Sequence, residues 1–179
     1  MDHEELDARG ILDFINSEDA KVAGAVRTEI PHIERVCIKL AELLKNKGRL
    51  FYVGAGTSGR MGVIDAAECP PTFGTNSAMI QAIIAGGKEA VFRSQEGAED
   101  DETRGSVEIA LQRITDKDMV IGIAASKRTP FVLGALRKAH ELGAATVLLT
   151  TNPKTEVDHS YLFEAICPEV GPEVLTGST

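Results

Sequence analysis

Residues 50–59 read LFYVGAGTSG, an apolar run of four residues followed by a glycine-rich turn. The run predicts a strand at Leu50–Val53, and the small residues after it allow a sharp turn into a helix that extends toward Ala67. In parallel α/β folds, ligands bind at turns of this kind, where a strand ends and a helix begins. The stretch therefore predicts both the fold class and the place of a functional site.

The alternation of apolar runs with helical segments continues along the chain. Four further strands are predicted, at Met79–Ala85, Met119–Ala124, Ala145–Thr150 and Phe163–Cys167. Continuously apolar strands separated by helices are typical of a parallel sheet that is covered on both faces. Residues 48–179 are therefore expected to form a three-layer α/β/α domain with five parallel strands in a flavodoxin-like order.

The first 47 residues show helical spacing of their apolar side chains. Three helices are predicted: one near Leu6–Ile15, a second over Glu18–Glu29, and a third that begins at Pro31, because proline is favoured in a first turn. Their apolar face predicts packing on the following domain or on a second subunit. Residues 1–47 are thus expected to form an N-terminal helical segment.

The composition argues against several classes of protein. The 179 residues carry 19 basic and 27 acidic side chains, a net charge of −8, and only 4% aromatic residues. Nucleic acid is therefore not an expected partner. No apolar stretch has the ~18 residues of a membrane span, and the charged start does not resemble a signal peptide. Three cysteines without C-x-x-C spacing predict neither disulfides nor a zinc site. Because disulfides are rare in a reducing compartment, the cytoplasm is the expected location.

The pattern Gly54-x-Gly56-x-x-Gly59 matches the dinucleotide-binding fingerprint in its required position between a strand and a helix. The acidic residue that this fingerprint expects about 20 positions later is missing. The loop instead carries Thr57 and Ser58, whose hydroxyls can bind phosphate beside the free N–H groups of a helix N-terminus. A monophosphate pocket is favoured over two alternatives, a dinucleotide site and a purely structural turn.

A loop of similar chemistry follows the third predicted strand. Residues 126–129 read SKRT, two hydroxyls and two cations directly before a helix that opens at Pro130. A capping Ser or Thr would explain one hydroxyl, but not the same chemistry at two strand ends. We expect one phosphate to bind between the two loops.

Two glutamates are candidate catalytic residues. Glu68 precedes Pro70 and Pro71, which are expected to end the helix, and Glu99 lies in an acidic run. An isolated glutamate near a helix end is more often solvated surface, and Glu99 could equally stabilise the first turn of the next helix. Cys69 has no evident partner base and is not expected to react. From the residues alone, the roles of both glutamates stay open.

Six segments together resemble the N-acetylmuramic acid 6-phosphate etherase family, whose members contain a sugar isomerase (SIS) phosphosugar-binding domain. They are GAGTSGR at 54–60, AECPPTFG at 67–74, IAGG at 84–87, EGAED at 96–100, IAAS at 123–126 and GPEVLTGS at 171–178. The resemblance extends over essentially the whole chain, including INSED at 15–19. It implies a homodimer, and it implies that the family's C-terminal part, which would follow Thr179, is missing here.

The resemblance also implies a reaction. Family members cleave the D-lactyl ether of N-acetylmuramic acid 6-phosphate in peptidoglycan recycling, without metal or cofactor, by elimination from the ring-opened sugar and addition of water. Glu68 would serve the departing lactate and then the water, and Glu99 would be the base at C2, although these two roles could be exchanged. The implied substrate-binding residues are Gly56, Thr57, Ser58, Ser126, Thr129, Glu173, Ser178 and Thr179.

Two other functions remain open. One is a non-catalytic phosphosugar-binding module resembling the glucokinase regulatory protein, and the other is an aldose–ketose isomerase. A sensor needs the phosphate loops but neither Glu68 nor Glu99, so the presence of both favours the enzyme. One departure from the family is Lys127, which stands where a glycine is usual; its side chain would strain a positive φ, but its ammonium could reinforce phosphate binding.

Overall fold

The fold is a five-stranded parallel sheet between two layers of helices, in a computed structural model that describes residues 7–126, 128–154 and 157–174. The strands are β1 (Leu50–Gly54), β2 (Ile80–Ile84), β3 (Met119–Ile123), β4 (Ala145–Leu149) and β5 (Glu164–Ile166). The helices are α1 (Ala8–Lys45), α2 (Gly56–Phe73), α3 (Glu89–Phe92), α4 (Glu102–Leu111) and α5 (Pro130–Glu141), with a 3₁₀ turn at Ala98–Asp100. The expectations for Lys127, Ser178 and Thr179 concern residues outside these ranges.

The strand order is β2-β1-β3-β4-β5, and every neighbouring pair is parallel. This confirms the predicted fold class and the flavodoxin-like order. Each predicted strand agrees with the observed one to within one residue at either end.

The core lies on both faces of this sheet. Phe51 and Val53 of β1 belong to a buried cluster with residues of α4 and α5, whereas Leu50 joins a second cluster with Val36 and Leu43 of α1. Adjacent residues of a strand point to opposite faces, so β1 contributes to both clusters. Because Tyr52 packs with the second cluster and contacts Gly62 of α2, helices α1 and α2 cover the same face.

The N-terminal segment is one helix of 38 residues, so the prediction of three helices is wrong. Pro31 lies inside α1, where a proline removes one backbone hydrogen bond and normally costs about 3 kcal/mol. The edge strand β5 and the residue after it contact α1 on both sides of Pro31, and these contacts offset that cost. Glu29 accepts a hydrogen bond from the backbone N–H of Cys167 at 2.8 Å, and Arg35 Nε donates to Glu164 Oε2 at 2.5 Å.

Helix α2 is also longer than predicted, because it continues through Pro70 and Pro71 to Phe73. It ends at Gly74, which has a φ of +67° and donates its N–H to the carbonyl of Pro70 at 2.9 Å. The left-handed conformation at the end of a helix is one that glycine adopts without strain. Glu68 therefore lies well inside a helix, whereas the two prolines after it predicted that the helix would end near this residue.

At the amino ends of the strands, Asp118 connects β1 to β3. It is 2% exposed, and its carboxylate accepts hydrogen bonds from Arg49 N at 2.9 Å, Arg49 Nη2 at 2.8 Å and Thr115 N at 2.9 Å. Burial raises the pKa of Asp118, but the hydrogen bonds from Arg49 and Thr115 outweigh burial and hold the pKa below its usual value.

We expect Asp118→Asn to lower the free energy of unfolding by roughly 2 kcal/mol at pH 7, since a charged hydrogen-bond acceptor is lost. A carboxylate whose pKa is lowered by folding stabilises the protein at pH values above its pKa in the unfolded chain, which is about 3.9. This stabilisation is lost as the pH falls through the pKa of the same group in the folded protein. In urea unfolding, the difference between the two proteins should therefore shrink below about pH 4. The exposed neighbour Asp116→Asn is the control, and a difference that does not vary with pH would contradict this account.

Candidate functional site

A cleft of about 530 Å³ lies at the carboxyl ends of β1, β2 and β3. Loops from three places line it: the start of α2, the segment after β2, and the loop before α5. Of the predicted site residues, seven line this cleft: Gly56, Thr57, Ser58, Glu99, Ser126, Thr129 and Glu173.

The first wall of the cleft is the N-terminal turn of α2. Gly56 has a φ of +52°, and no side chain caps the helix at Ala55. Gly59 lets the helix begin directly against the sheet, because a Cβ there would lie 2.6 Å from Ile84 Cγ1 and 2.8 Å from the carbonyl oxygen of Gly54. The N–H groups of this turn, with the hydroxyls of Thr57 and Ser58, form a site suited to an anion.

The second wall is the loop that leads into α5, which carries Ser126 and Thr129. The Thr129 side chain does not cap the helix, and Pro130 occupies its first turn. The carbonyl of Ala125 accepts hydrogen bonds from Thr150 Oγ1 at 3.0 Å and Asn152 Nδ2 at 2.8 Å, which fix the start of this loop. Two helix N-termini with hydroxyls thus border one cleft, as expected for a site that binds one phosphate.

The acidic side of the cleft is formed mainly by the segment of chain between β2 and α4. Glu99 lies in the 3₁₀ turn, and Gly97 before it has a φ of +76°. Ala98 packs against the core cluster of α4 and α5, so the turn that carries Glu99 is held by the core. Glu96 and Glu173 line the same cleft. The cleft thus places carboxylates, which can accept a proton, beside an anion-binding edge.

Glu68 does not line the cleft. It lies 12 residues after Gly56 on α2, which at 1.5 Å per residue is about 18 Å along the helix. Its side chain is exposed and accepts a hydrogen bond from Thr72 Oγ1 at 2.6 Å. A single chain therefore does not bring the two predicted catalytic glutamates together.

Some lining residues were missed by the sequence analysis. Arg60 directly follows the glycine-rich loop, and its Nε donates to the carbonyl of Val91 at 3.0 Å, which ties α3 to α2. Ser94 and Gln95 also line the cleft, but no motif marks them. Of these three residues, only Arg60 could have been found from the sequence, because it is a cation close to the hydroxyls of the first loop.

Three further properties bear on the chemistry. Burial raises the pKa of the Cys69 thiol, with a contribution from Asp65, so the thiol stays protonated at neutral pH. Within the described ranges, no group of three or more His, Cys, Asp or Glu side chains could hold a metal ion. In that same part of the chain, no helix combines the length and the apolar character needed to span a membrane.

Comparison with known proteins places these features in context. A family model described as the glucokinase regulatory protein N-terminal SIS domain matches residues 32–140. An N-acetylmuramic acid 6-phosphate etherase from Salinibacter ruber is 56% identical over 94% of this chain, and one from Vibrio atlanticus is 48% identical over 100%. The chain spans 54% and 58% of the lengths of these two curated relatives.

Among solved structures, a phosphoheptose isomerase from Francisella tularensis superposes with a TM-score of 0.67 at 20% identity. The match covers 92% of this chain and 87% of the isomerase. At this level of identity the likeness concerns the fold alone.

Proposed function

The chain belongs to the family of the glucokinase regulatory protein N-terminal SIS domain, and we propose that the protein is an N-acetylmuramic acid 6-phosphate etherase that uses this cleft. One observation carries the proposal. A chain that matches such etherases over 94% or more of its length also brings the phosphate loops and Glu99 to one cleft.

The proposed binding mode follows from the two walls. The 6-phosphate lies between the N-terminal turns of α2 and α5, where Ser58, Ser126 and Thr129 donate hydrogen bonds and the helix dipoles favour a negative charge. The sugar carbons then extend toward Glu99, with Glu173 at the border of the sugar. This orientation keeps the phosphate away from the acidic side of the cleft.

The proposed chemistry uses the aldehyde of the ring-opened sugar as the electron sink. Glu99 takes the C2 proton, the electrons of the C–H bond form the C2–C3 double bond, and the C3–O bond breaks. A second carboxylic acid, assigned to Glu68, protonates the departing lactate oxygen. Water then adds at C3 and returns a proton to Glu68, while C2 is reprotonated, so that one water is consumed for each ether cleaved.

Several finer statements belong to the same proposal. We place the reaction in the cytoplasm, as a step in peptidoglycan recycling, and in a homodimer. The exposed apolar side chains of α1 and α2 support self-association. Neither a metal nor a cofactor is invoked, because the substrate's own carbonyl stabilises the negative charge that develops at C2.

The test is lactate release by the full-length gene product. We expect D-lactate and N-acetylglucosamine 6-phosphate from N-acetylmuramic acid 6-phosphate, and no turnover of the unphosphorylated sugar, which lacks the group that the two loops bind. Binding of the phosphosugar by calorimetry without lactate would overturn the proposal in favour of a sensor. A ketose product carrying solvent deuterium at the former C2 would favour an isomerase.

A non-catalytic module is the second candidate function, and one specific observation favours it. The family model that matches the chain is that of a regulatory protein's domain, and the phosphate loops alone would serve binding. Such a module would bind the phosphosugar equally well after either glutamate is replaced, whereas the enzyme would lose lactate release.

A further inference from the structure

We propose that Arg60 binds the lactyl carboxylate of the substrate and so selects a sugar phosphate that carries a lactyl ether. This inference rests on the proposed etherase function and deepens it, because it names the residue that distinguishes the substrate from its own product. N-acetylmuramic acid 6-phosphate has two anionic ends, the phosphate and the carboxylate of the ether at C3. The phosphate-binding turns of α2 and α5 account for the first end only.

The second anionic end of the substrate needs a cation on the acidic side of the cleft. C3 adjoins C2, so the lactyl group lies near Glu99, and Glu96 and Glu173 add two further carboxylates to the cleft. Like charges repel one another more strongly in a partly enclosed cleft than in open water. Among the described residues that line the cleft, Arg60 is the single cation.

Arg60 is half-buried, and its charge is not matched by a carboxylate of the described chain. Two arginines within the described ranges are half-buried, Arg49 and Arg60, and the others are exposed. Arg49 is paired with Asp118 at 2.8 Å, whereas no carboxylate within those ranges pairs with Arg60. A charge removed from water is normally paired with an opposite charge. In a ligand cleft, the expected partner of such a guanidinium is an anionic group of the ligand.

The guanidinium of Arg60 is held in a direction that suits a carboxylate. Side chains of an α-helix lean toward its N-terminus, which brings Arg60 toward the turn of α2 that lines the cleft. Its Nε donates to the carbonyl of Val91 at 3.0 Å, and no described residue accepts a hydrogen bond from its two terminal amino groups. Two amino groups in one plane can bind both oxygens of a carboxylate.

The position of Arg60 favours the carboxylate over the phosphate. Val91 belongs to α3, which follows β2, whereas α5 follows β3, and β1 lies between these two strands in the sheet. The contact with Val91 therefore directs Arg60 to the β2 side of the cleft, toward the segment that leads to Glu99. The phosphate, bound between α2 and α5, lies on the β3 side.

Two closed-ring ligands test the inference without turnover. The methyl glycosides of N-acetylmuramic acid 6-phosphate and of N-acetylglucosamine 6-phosphate differ by the lactyl group alone, and neither can open to the aldehyde that elimination needs. In calorimetry on the full-length gene product, Arg60→Gln should weaken binding of the first ligand by roughly 10- to 100-fold, the usual effect of losing a charged hydrogen bond. Binding of the second ligand should not change.

Arg93→Gln is the matched control, because Arg93 is an exposed cation that follows α3 and does not line the cleft. It should leave the affinity for both glycosides unchanged. A loss for Arg93→Gln equal to that for Arg60→Gln would show that the overall charge of this region sets the affinity, and would overturn the inference.

A change in the ligand gives a second measure, which a structural defect would not reproduce. Replacing the lactyl carboxylate by its carboxamide should weaken binding to the wild-type protein by a similar factor, because the charge is lost. Arg60→Gln should not weaken binding of the carboxamide further, since both changes remove the same interaction. Loosening of α3 through the lost contact with Val91 would instead weaken binding of all three ligands.

The outcomes separate this inference from the proposed function. Equal weakening of both glycosides by Arg60→Gln, or none, would overturn the inference, and so would a wild-type protein without a preference for the lactyl ether. The selective loss in a protein that releases no lactate would refute the etherase and leave carboxylate binding by Arg60 in place. Lactate release without the selective loss would refute the role of Arg60 alone.

Discussion

Replacing Glu99 with glutamine is expected to lower kcat for lactate release by a factor of about 10²–10⁴, the usual contribution of a general base. Glu99 lines the cleft on a turn that the core holds in place, and glutamine keeps its size but cannot accept the C2 proton. Binding of the phosphosugar, measured by calorimetry, should change little, because the phosphate is bound by the loops of α2 and α5. The loss should therefore appear in kcat and not in KM.

Glu96→Gln is the matched control, because Glu96 lines the same cleft three residues earlier and has no assigned role. A larger loss for Glu96→Gln than for Glu99→Gln would show that the base is misassigned. Exchange of the C2 proton with deuterated water distinguishes the two glutamates from each other. Glu99→Gln should abolish exchange, whereas Glu68→Gln should retain exchange without releasing lactate, and the opposite result would mean that the two roles are exchanged.

The sheet and the phosphate-binding side of the cleft could be predicted from the sequence because their determinants are local. Strands β1, β2 and β4 are largely apolar runs followed closely by glycine or threonine, and the parallel arrangement brings the loops at 54–59 and 126–129 to one edge. A strand ending in glycine next to hydroxyls therefore indicated both a turn and an anion site.

Helix continuity could not be predicted in the same way. Pro31 indicated a helix start because a proline is unfavourable inside a helix, but contacts with Glu164 and Cys167, more than 100 residues away, support the helix around it. The same rule, applied to Pro70, predicted that α2 ends before this proline, whereas the helix continues to Phe73. Glu68, to which the resemblance assigned a catalytic role, lies on this helix and does not line the cleft of its own chain.

The close packing of α4 on α5 predicts a large loss of stability for Gly105→Ala. A Cβ at Gly105 would lie 2.0 Å from the carbonyl oxygen of Phe131, and one at Gly134 would lie 2.2 Å from that of Glu102. Both neighbours are backbone atoms, so the helices must separate to admit a methyl group. We expect the free energy of unfolding in urea to fall by roughly 3 kcal/mol, as for an overpacked core. Gly24→Ala is the control: nothing lies within 4 Å of a Cβ there, and alanine in a helix interior should add about 0.5–1 kcal/mol.

The same contact links packing to the site, because α4 begins three residues after Glu99 and α5 begins one residue after Thr129. The separation of the two helices therefore sets the distance between the proposed base and the phosphate loop. The folded fraction of Gly105→Ala should lose kcat while its affinity for phosphosugar changes less, since the phosphate-binding turn of α2 is untouched. Unchanged stability would show that the helices accommodate the methyl group by sliding. Lowered stability with unchanged kcat would show that the turn at Ala98–Asp100 holds Glu99 independently of α4.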